Sequence, residues 1–99
     1  MSESKKTSDS PRRGYRVLEQ QTTPNPNAMK FVLDRAISDR PISFLTPEAG
    51  KSDPLAQQLF AIDGVTGVLL LNDFVTINKS PEAQWKAIAP KVRTILANT

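Results

Sequence analysis

The chain has 99 residues, of which 38% are hydrophobic and 23% charged, a size and composition that suit one small domain. It contains no cysteine and no histidine, which removes disulfides, thiolate and imidazole catalysis, and the usual ligands of zinc, haem iron and iron–sulfur clusters. Its ten acidic residues are scattered singly, so we predict no catalytic residue, no metal site and no cofactor.

The net charge of +3 is concentrated at the start of the chain. Residues 1–16 contain five Lys or Arg residues and two acidic residues, whereas residues 17–99 contain eight of each kind. Residues 1–14 are rich in Ser, Lys, Asp, Pro and Gly, and we predict a disordered basic leader there, followed by one domain over residues 15–99.

The beginning of the chain lacks the apolar segment of a secretory signal, and no stretch is long and apolar enough to span a membrane. We therefore expect a cytoplasmic location and no membrane partner. A basic leader can make weak, salt-sensitive contacts with phosphates or acidic surfaces. One hypothesis is thus a small binding domain whose leader contacts nucleic acid or acidic partners, although the neutral remainder contains no recognised nucleic-acid-binding motif.

Two alternating segments near the start predict strands. They are YRVLEQQ at residues 15–21 and AMKFVLD at residues 28–34. TTPNPN at residues 22–27 lies between them and cannot be helical, because proline restricts its own backbone and that of the residue before it. This segment predicts a stiff connection between two strands, and PISFL at residues 41–45 predicts a short third strand.

The segment SDPLAQQLFAIDG predicts a helix that begins with Asp53 as N-cap and Pro54 in the first turn, and that stops at Gly64. Its apolar positions recur at helical spacing and form one stripe. They are Leu55, Leu59 and Ile62.

The segment VTGVLLLNDFVTINK predicts a hairpin with a turn at Asn72 and Asp73, so that Leu71 faces Phe74 across the strands. Alternation then divides the apolar residues between two faces. One face carries Val68, Leu70, Val75 and Ile77, and the other carries Leu69, Leu71, Phe74 and Thr76.

A final helix is predicted to open at Ser80 and Pro81, with Glu82 in its first turn and paired with Lys86. Pro90 is expected to kink or break it, because proline removes one backbone hydrogen bond. Its buried stripe is predicted to comprise Trp85, Ile88, Ala89, Val92, Ile95 and Leu96.

These elements predict an α+β domain of two layers: a mainly antiparallel sheet of four to five strands with two helices on one face, in the order β-β-(β)-α-β-β-α. Its other face would expose Leu69, Leu71 and Phe74. Two interpretations stay open. The patch contacts a partner, or it is ordinary surface or covered by the leader or the proline-rich segment.

Three separate segments, TTPNPNAMKF, DPLAQQLFAIDGVTGVLLLNDFVTINK and WKAIAPKVRTIL, together resemble the N-terminal domain of Nfu/NifU-like iron–sulfur cluster scaffold proteins. The resemblance covers residues 16–96. In two-domain members of that family a separate C-terminal domain holds the cluster with a C-x-x-C pair, and the chain is expected to be a stand-alone N-terminal domain without it. Iron binding therefore does not follow from the resemblance.

The resemblance implies a non-enzymatic accessory or protein-binding module linked to iron–sulfur cluster assembly or delivery. The expected partner is an iron–sulfur assembly or client protein, such as a C-x-x-C scaffold on another chain. General acid–base chemistry by Asp63 or Asp73 with Lys79 has no positioned pair to support it, so no enzyme is predicted.

Most positions that match the family are explained by the core, by turns or by helix ends. Three are not fully explained in this way: Asn25, Asn27 and Lys30. The asparagines can cap the local backbone or bind a partner, and Lys30 should project from its strand opposite Phe31. The candidate partner-binding residues are therefore Asn25, Asn27, Lys30, Leu69, Leu71 and Phe74.

Overall fold

The structure, a computed structural model, describes residues 14–99; the predicted leader at residues 1–13 lies outside the described residues. In chain order the elements are β1 (Val17–Thr22), β2 (Ala28–Leu33), β3 (Ser38–Phe44), α1 (Pro54–Phe60), β4 (Val65–Asn72), β5 (Phe74–Lys79) and α2 (Trp85–Ala97). The five strands form one antiparallel sheet in the order β1-β2-β5-β4-β3. The predicted α+β class and element order are confirmed.

Both helices pack on the same face of the sheet, where alternate strand residues point inward. Phe31, Val75 and Ile77 from the central strands are completely buried in this core. The predicted stripe of α1 is buried, and Ile88, Ala89, Val92 and Leu96 bury the inner side of α2. Trp85 and Ile95 are half-buried and pack against the same cluster. Fully burying a large apolar side chain stabilises a fold by roughly 1.5–3 kcal/mol, so this interface is the main source of stability.

The hairpin of β4 and β5 has the predicted register. Leu71 pairs with Phe74, and Asn72 adopts a positive φ of 52°, which asparagine tolerates better than most residues. Val68, Leu70, Val75 and Ile77 face the core, as alternation predicts. The third strand is longer than predicted and begins at Ser38, with a register shift between Ser38 and Ile42.

The N-terminal end of α1 is as predicted, whereas its C-terminal end is not. The Asp53 carboxylate accepts hydrogen bonds from the backbone N–H groups of Leu55 (2.9 Å) and Ala56 (3.1 Å), and Pro54 occupies the first turn. The helix ends at Phe60 with Ala61 as its C-cap. The prediction of Gly64 as the helix stop was wrong, because Gly64 lies in the following turn, at a φ of +97°, immediately before β4.

Replacing Asp53 by alanine is expected to lower the free energy of unfolding by about 1 kcal/mol, since two N–H groups of the first turn lose their acceptor. Asp53→Asn is the matched control, because its amide oxygen can still cap the helix. Chemical denaturation of the full chain measures both. Equal stability of the two variants would show that the cap contributes nothing.

The start of α2 differs from the prediction. The helix begins at Trp85, not at Ser80 and Pro81, so Glu82 lies before the helix and cannot form the predicted helical pair with Lys86. Ser80 instead extends the sheet region: its N–H donates to the carbonyl oxygen of Gly64 at 2.8 Å. The Ser80 carbonyl oxygen accepts the N–H of Ala83 at 3.1 Å, so residues 80–83 form a separate turn before the helix.

Pro90 lies inside α2, and of the two expected outcomes, a kink or a break, the break is wrong. The helix continues from Trp85 to Ala97, and the Thr94 Oγ1 donates to the Pro90 carbonyl oxygen at 3.0 Å. Pro90 and Lys86 are both exposed, so water can hydrogen-bond the Lys86 carbonyl that proline leaves without its usual helical donor.

The start of the described chain is joined to the end of α2. Gly14 donates its N–H to the Thr99 carbonyl oxygen (3.0 Å), and Tyr15 donates to the Leu96 carbonyl oxygen (2.9 Å). The Arg35 guanidinium lies 4.2 Å from the centre of the buried Tyr15 ring.

Within residues 14–99, neither helix has the length and apolar character needed to cross a membrane.

Candidate functional site: the open face of the sheet

The face of the sheet opposite the helices carries a short cross-strand row that we call the open-face row: Lys30, Thr76 and Leu69. Lys30 on β2 pairs with Thr76 on β5, and Thr76 pairs with Leu69 on β4. Adjacent strands lie about 4.8 Å apart, so Lys30 and Leu69 are separated by about 10 Å across the sheet. All three side chains are only partly buried.

A second row lies beside the first and is apolar across the three central strands, with Glu19 of β1 next to it at the edge. Val32 on β2 pairs with Phe74 on β5, and Phe74 pairs with Leu71 on β4. These three side chains are also half-buried, so none is fully covered within residues 14–99. The predicted patch of Leu69, Leu71 and Phe74 thus lies on one continuous face.

Lys30 is held over this apolar row by its neighbour Phe74. The Lys30 Nζ lies 4.2 Å from the centre of the Phe74 ring, within the range of a cation–π interaction. Among the residues of the three central strands that alternate onto this face, Lys30 is the only charged one. In the described part of the chain no carboxylate forms an ion pair with it. The three central strands therefore present one positive charge on this face, next to an apolar row, while the neighbouring strand β1 contributes Gln21 opposite Lys30 and Glu19 opposite Val32.

A shallow depression of about 190 Å³ lies next to the open-face row, above Gly67. Gly67 has no side chain to fill the space, and Leu45, one of two strongly exposed large apolar residues, stands at the rim with 78% of its surface accessible. The remaining lining residues are Ser43, Val68, Leu69, Thr76 and Asn78. Sequence reasoning did not identify this depression, because it depends on the register that places Gly67 beside Asn78.

The two candidate asparagines lie in the loop at residues 23–27, and that loop is tightly hydrogen-bonded. Asn25 uses its Oδ1 to accept the backbone N–H of Asn27 at 2.9 Å, a local turn of the kind that asparagine favours. The Thr23 hydroxyl donates to the carbonyl oxygens of Asn25 (2.8 Å) and Ala28 (3.1 Å). The Asn25 side chain thus performs the backbone-capping function that was one of the two interpretations.

Asn27 has a different role, because its side chain contacts another strand. Lys79, which is only 9% exposed, donates from Nζ to the Asn27 Oδ1 at 2.9 Å and to the Ser80 carbonyl oxygen at 3.3 Å. Trp85 donates its indole N–H to the Pro26 carbonyl oxygen at 3.0 Å, and its ring lies 5.7 Å from the Lys79 Nζ. The loop is therefore fastened to the end of β5 and the start of α2.

The structure groups four of the six candidate residues and separates the other two. Lys30, Leu69, Leu71 and Phe74 share the open face. Asn25 and Asn27 lie in the loop, and in residues 14–99 no hydrogen bond joins either asparagine to Lys30. Sequence reasoning missed Val32 and Leu45, although alternation with Lys30 places Val32 on the same face.

Residues 14–99 contain no group of three or more His, Cys, Asp or Glu side chains arranged to hold a metal ion. Lys79 hydrogen-bonds Asn27 and Ser80, not Asp63 or Asp73, with which it was considered for acid–base chemistry. The basic residues of the predicted leader, to which the nucleic-acid hypothesis applies, lie outside the described part of the chain.

The family model for the Nfu/NifU scaffold protein N-terminal domain matches residues 18–99. The chain belongs to this family. The NFU1 iron-sulfur cluster scaffold homolog, mitochondrial, of Homo sapiens is 39% identical over 80 residues, which cover 79% of this chain and 32% of the human protein. The conserved virulence factor C of Staphylococcus haemolyticus is 32% identical over 82 residues, covering 83% of this chain and 22% of that protein.

Solved structures of similar proteins have the fold of this Nfu/NifU N-terminal domain. A NifU-like protein from Saccharomyces cerevisiae, solved by NMR, matches with a TM-score of 0.75 at 27% identity, covering 96% of this chain and 86% of that one. A crystal structure of a Staphylococcus aureus protein matches with a TM-score of 0.68 at 23% identity, covering 81% and 96% of the two chains, and supports the fold alone. The chain spans about a third or less of the length of the human and staphylococcal relatives above.

Proposed function

We propose that this domain is a non-enzymatic protein-binding module in iron–sulfur cluster assembly or delivery, and that it binds its partner through the open face of the sheet. Family membership supports the link to iron–sulfur clusters, since the human relative is named as a cluster scaffold homolog. The single observation that carries the binding role is the open face itself, where Lys30 lies over Phe74 beside Leu69 and Leu71.

The physical argument for binding is that this face remains partly exposed although it is apolar. Covering contiguous apolar surface favours a complex, because it removes that surface from water. The proline-rich loop does not cover the face, because Trp85 and Lys79 hold the loop at the ends of the strands. The chain has no cysteine with which to hold a cluster by thiolates, so the proposed role is contact with an assembly protein, a client protein or a C-x-x-C scaffold on another chain.

Affinity purification of the tagged full chain, followed by mass spectrometry, tests this function. Wild type is expected to recover iron–sulfur assembly or client proteins, and Phe74→Ala is expected to lower their recovery about tenfold, because it removes a central ring of the apolar surface. Gln57→Ala, on the exposed side of α1, is the control and should retain full recovery. Recovery of no iron–sulfur protein by folded wild type would contradict the function.

The cytoplasmic location predicted from the sequence stays a prediction. Human and Arabidopsis thaliana relatives carry the word mitochondrial in their names, so an organellar location is the alternative. Fractionation of cells that express the untagged chain, with detection by antibody, distinguishes the two locations.

A further inference from the structure

We infer that the open face binds an amphipathic helix of a partner protein, whose carboxylate pairs with Lys30 and whose apolar side chain enters the depression above Gly67. This inference rests on the proposed function and specifies the partner's chemistry. Neither the charge of Lys30 nor the depression above Gly67 defines a partner alone. The open-face row places the two at a fixed separation on one surface.

The carboxylate follows from the unpaired ammonium group. Lys30 lies between Gln21 and Thr76 on the neighbouring strands and over the Phe74 ring, and in the described residues its three N–H donors have no acceptor. A partner that covered this face with apolar side chains alone would bury an ammonium group without a counter-ion, which is costly. A carboxylate opposite Lys30 removes that cost and adds a charge-assisted hydrogen bond.

The apolar side chain follows from the depression. Its volume of about 190 Å³ is on the scale of one large side chain, and Leu45 at its rim exposes 78% of its surface. Asn78 and Ser43 contribute polar groups at the margin, which remain able to contact water when the centre is filled. An apolar residue that enters here gains contact with Leu45 and Leu69 together.

Backbone hydrogen bonding favours a helix over an extended segment. An extended segment lying along the open-face row would meet only the Lys30 ammonium and the Thr76 hydroxyl, so most of its N–H and C=O groups would lack partners on this face. A helix satisfies these groups internally. On this face it would add a third layer to the two that the sheet and the pair α1 and α2 already form. At 1.5 Å per residue, side chains seven positions apart on one side of a helix are about 10.5 Å apart. This matches the spacing of about 10 Å between Lys30 and Leu69.

Site-specific photo-cross-linking of the full chain in cells tests the inference. Leu45 is replaced by p-benzoylphenylalanine in one version and Gln57, on the helix side, in the other. Cross-linked peptides are then sequenced by mass spectrometry. The Leu45 position is expected to capture a protein segment with apolar residues at helical spacing and an Asp or Glu about seven positions away, and Gln57 should capture it about tenfold less.

Lys30 variants then test the charge. Lys30→Gln and Lys30→Met should each lower the yield from Leu45 about tenfold, whereas Lys30→Arg, which keeps the charge, should retain most of it. Lys51→Gln, which removes an exposed charge in a distant turn, should leave the yield unchanged. Circular dichroism of each variant confirms that it is folded.

Several outcomes would overturn the inference. Capture of nucleic acid, capture of a second copy of this chain, equal yields from Leu45 and Gln57, or full yield from Lys30→Gln would each do so. If the captured helix belongs to a protein unrelated to iron–sulfur clusters, the inference stands and the proposed function fails. If Leu45 captures iron–sulfur proteins through a segment without helical spacing or a nearby carboxylate, the inference fails and the proposed function stands. If iron–sulfur proteins are captured only from Gln57, the link to iron–sulfur clusters stands, but both the open-face binding of the proposed function and the inference fail.

Discussion

Replacing Gly64 with alanine is expected to lower the free energy of unfolding by about 3 kcal/mol. Gly64 adopts a φ of +97°, which side-chain-bearing residues rarely tolerate, and a Cβ built there would lie only 2.7 Å from the Cβ of Ala83. Backbone strain and overlap therefore act together. The carbonyl of Gly64 also accepts the N–H of Ser80, so a shift of this turn would disturb the connection to β5.

Gly67→Ala is the matched control for Gly64→Ala. A Cβ at Gly67 would lie 3.3 Å from the Asn78 Nδ2, the far end of an exposed side chain that can move. We expect a loss of less than about 1 kcal/mol. Denaturant titrations that yield midpoint and m-value for each variant measure both effects. Similar losses for the two glycines would contradict the argument from backbone conformation.

Asn27→Ala is expected to cost about 2–3 kcal/mol, because it leaves the ammonium of buried Lys79 with one acceptor, the Ser80 carbonyl at 3.3 Å. Lys79→Met should cost about 1 kcal/mol or less, since methionine occupies the same space without a charge to satisfy. The double variant should be about as stable as Lys79→Met alone. The resulting coupling energy of about 2 kcal/mol is measured by a double-mutant cycle in chemical denaturation.

This cycle also decides between the two interpretations of Asn27. Asn25→Ala is the matched control, because it removes an asparagine of the same loop that caps only the local backbone, and we expect it to cost about 1 kcal/mol. If Asn27→Ala keeps wild-type stability but loses partners in the purification experiment, then Asn27 is a binding residue and the structural interpretation is wrong.

The features that could be predicted from the sequence depend on local patterns. Alternation in residues 28–33 and around the turn at Asn72 specifies which side chains point inward, because a one-residue slip would expose the whole apolar set. Asp53 followed by Pro54 specifies a helix start through hydrogen bonds that span only three residues. The family resemblance, confirmed by the family match, needed only the order of three segments.

The features that could not be predicted depend on contacts distant in sequence. Ser80 and Pro81 have the local chemistry of a helix start, but Ser80 pairs with the distant Gly64 and closes a turn with Ala83, and the helix begins only at Trp85. Pro90 was expected to kink or break α2, yet the helix continues to Ala97, with Pro90 and Lys86 on its exposed side.

The candidate site shows the same division between local and distant information. Lys30, Leu69, Leu71 and Phe74 could be assigned to one face from alternation and register. The partner of Asn27 could not be identified, because Lys79 lies 52 positions away along the chain. The depression above Gly67 likewise forms only when three strands are side by side, so no local pattern reports it.

The hydrogen bonds of Gly14 with Thr99 and of Tyr15 with Leu96 have a consequence for tethering. Gly14 and Thr99 therefore lie at one corner of the domain on the helix side, so a segment that leaves the domain from Gly14 and one that leaves it from Thr99 diverge from nearly the same point. Two modules joined there by short flexible linkers would have a mutual effective concentration in the millimolar range. They would meet each other readily while the opposite side of the sheet stays accessible to a third protein.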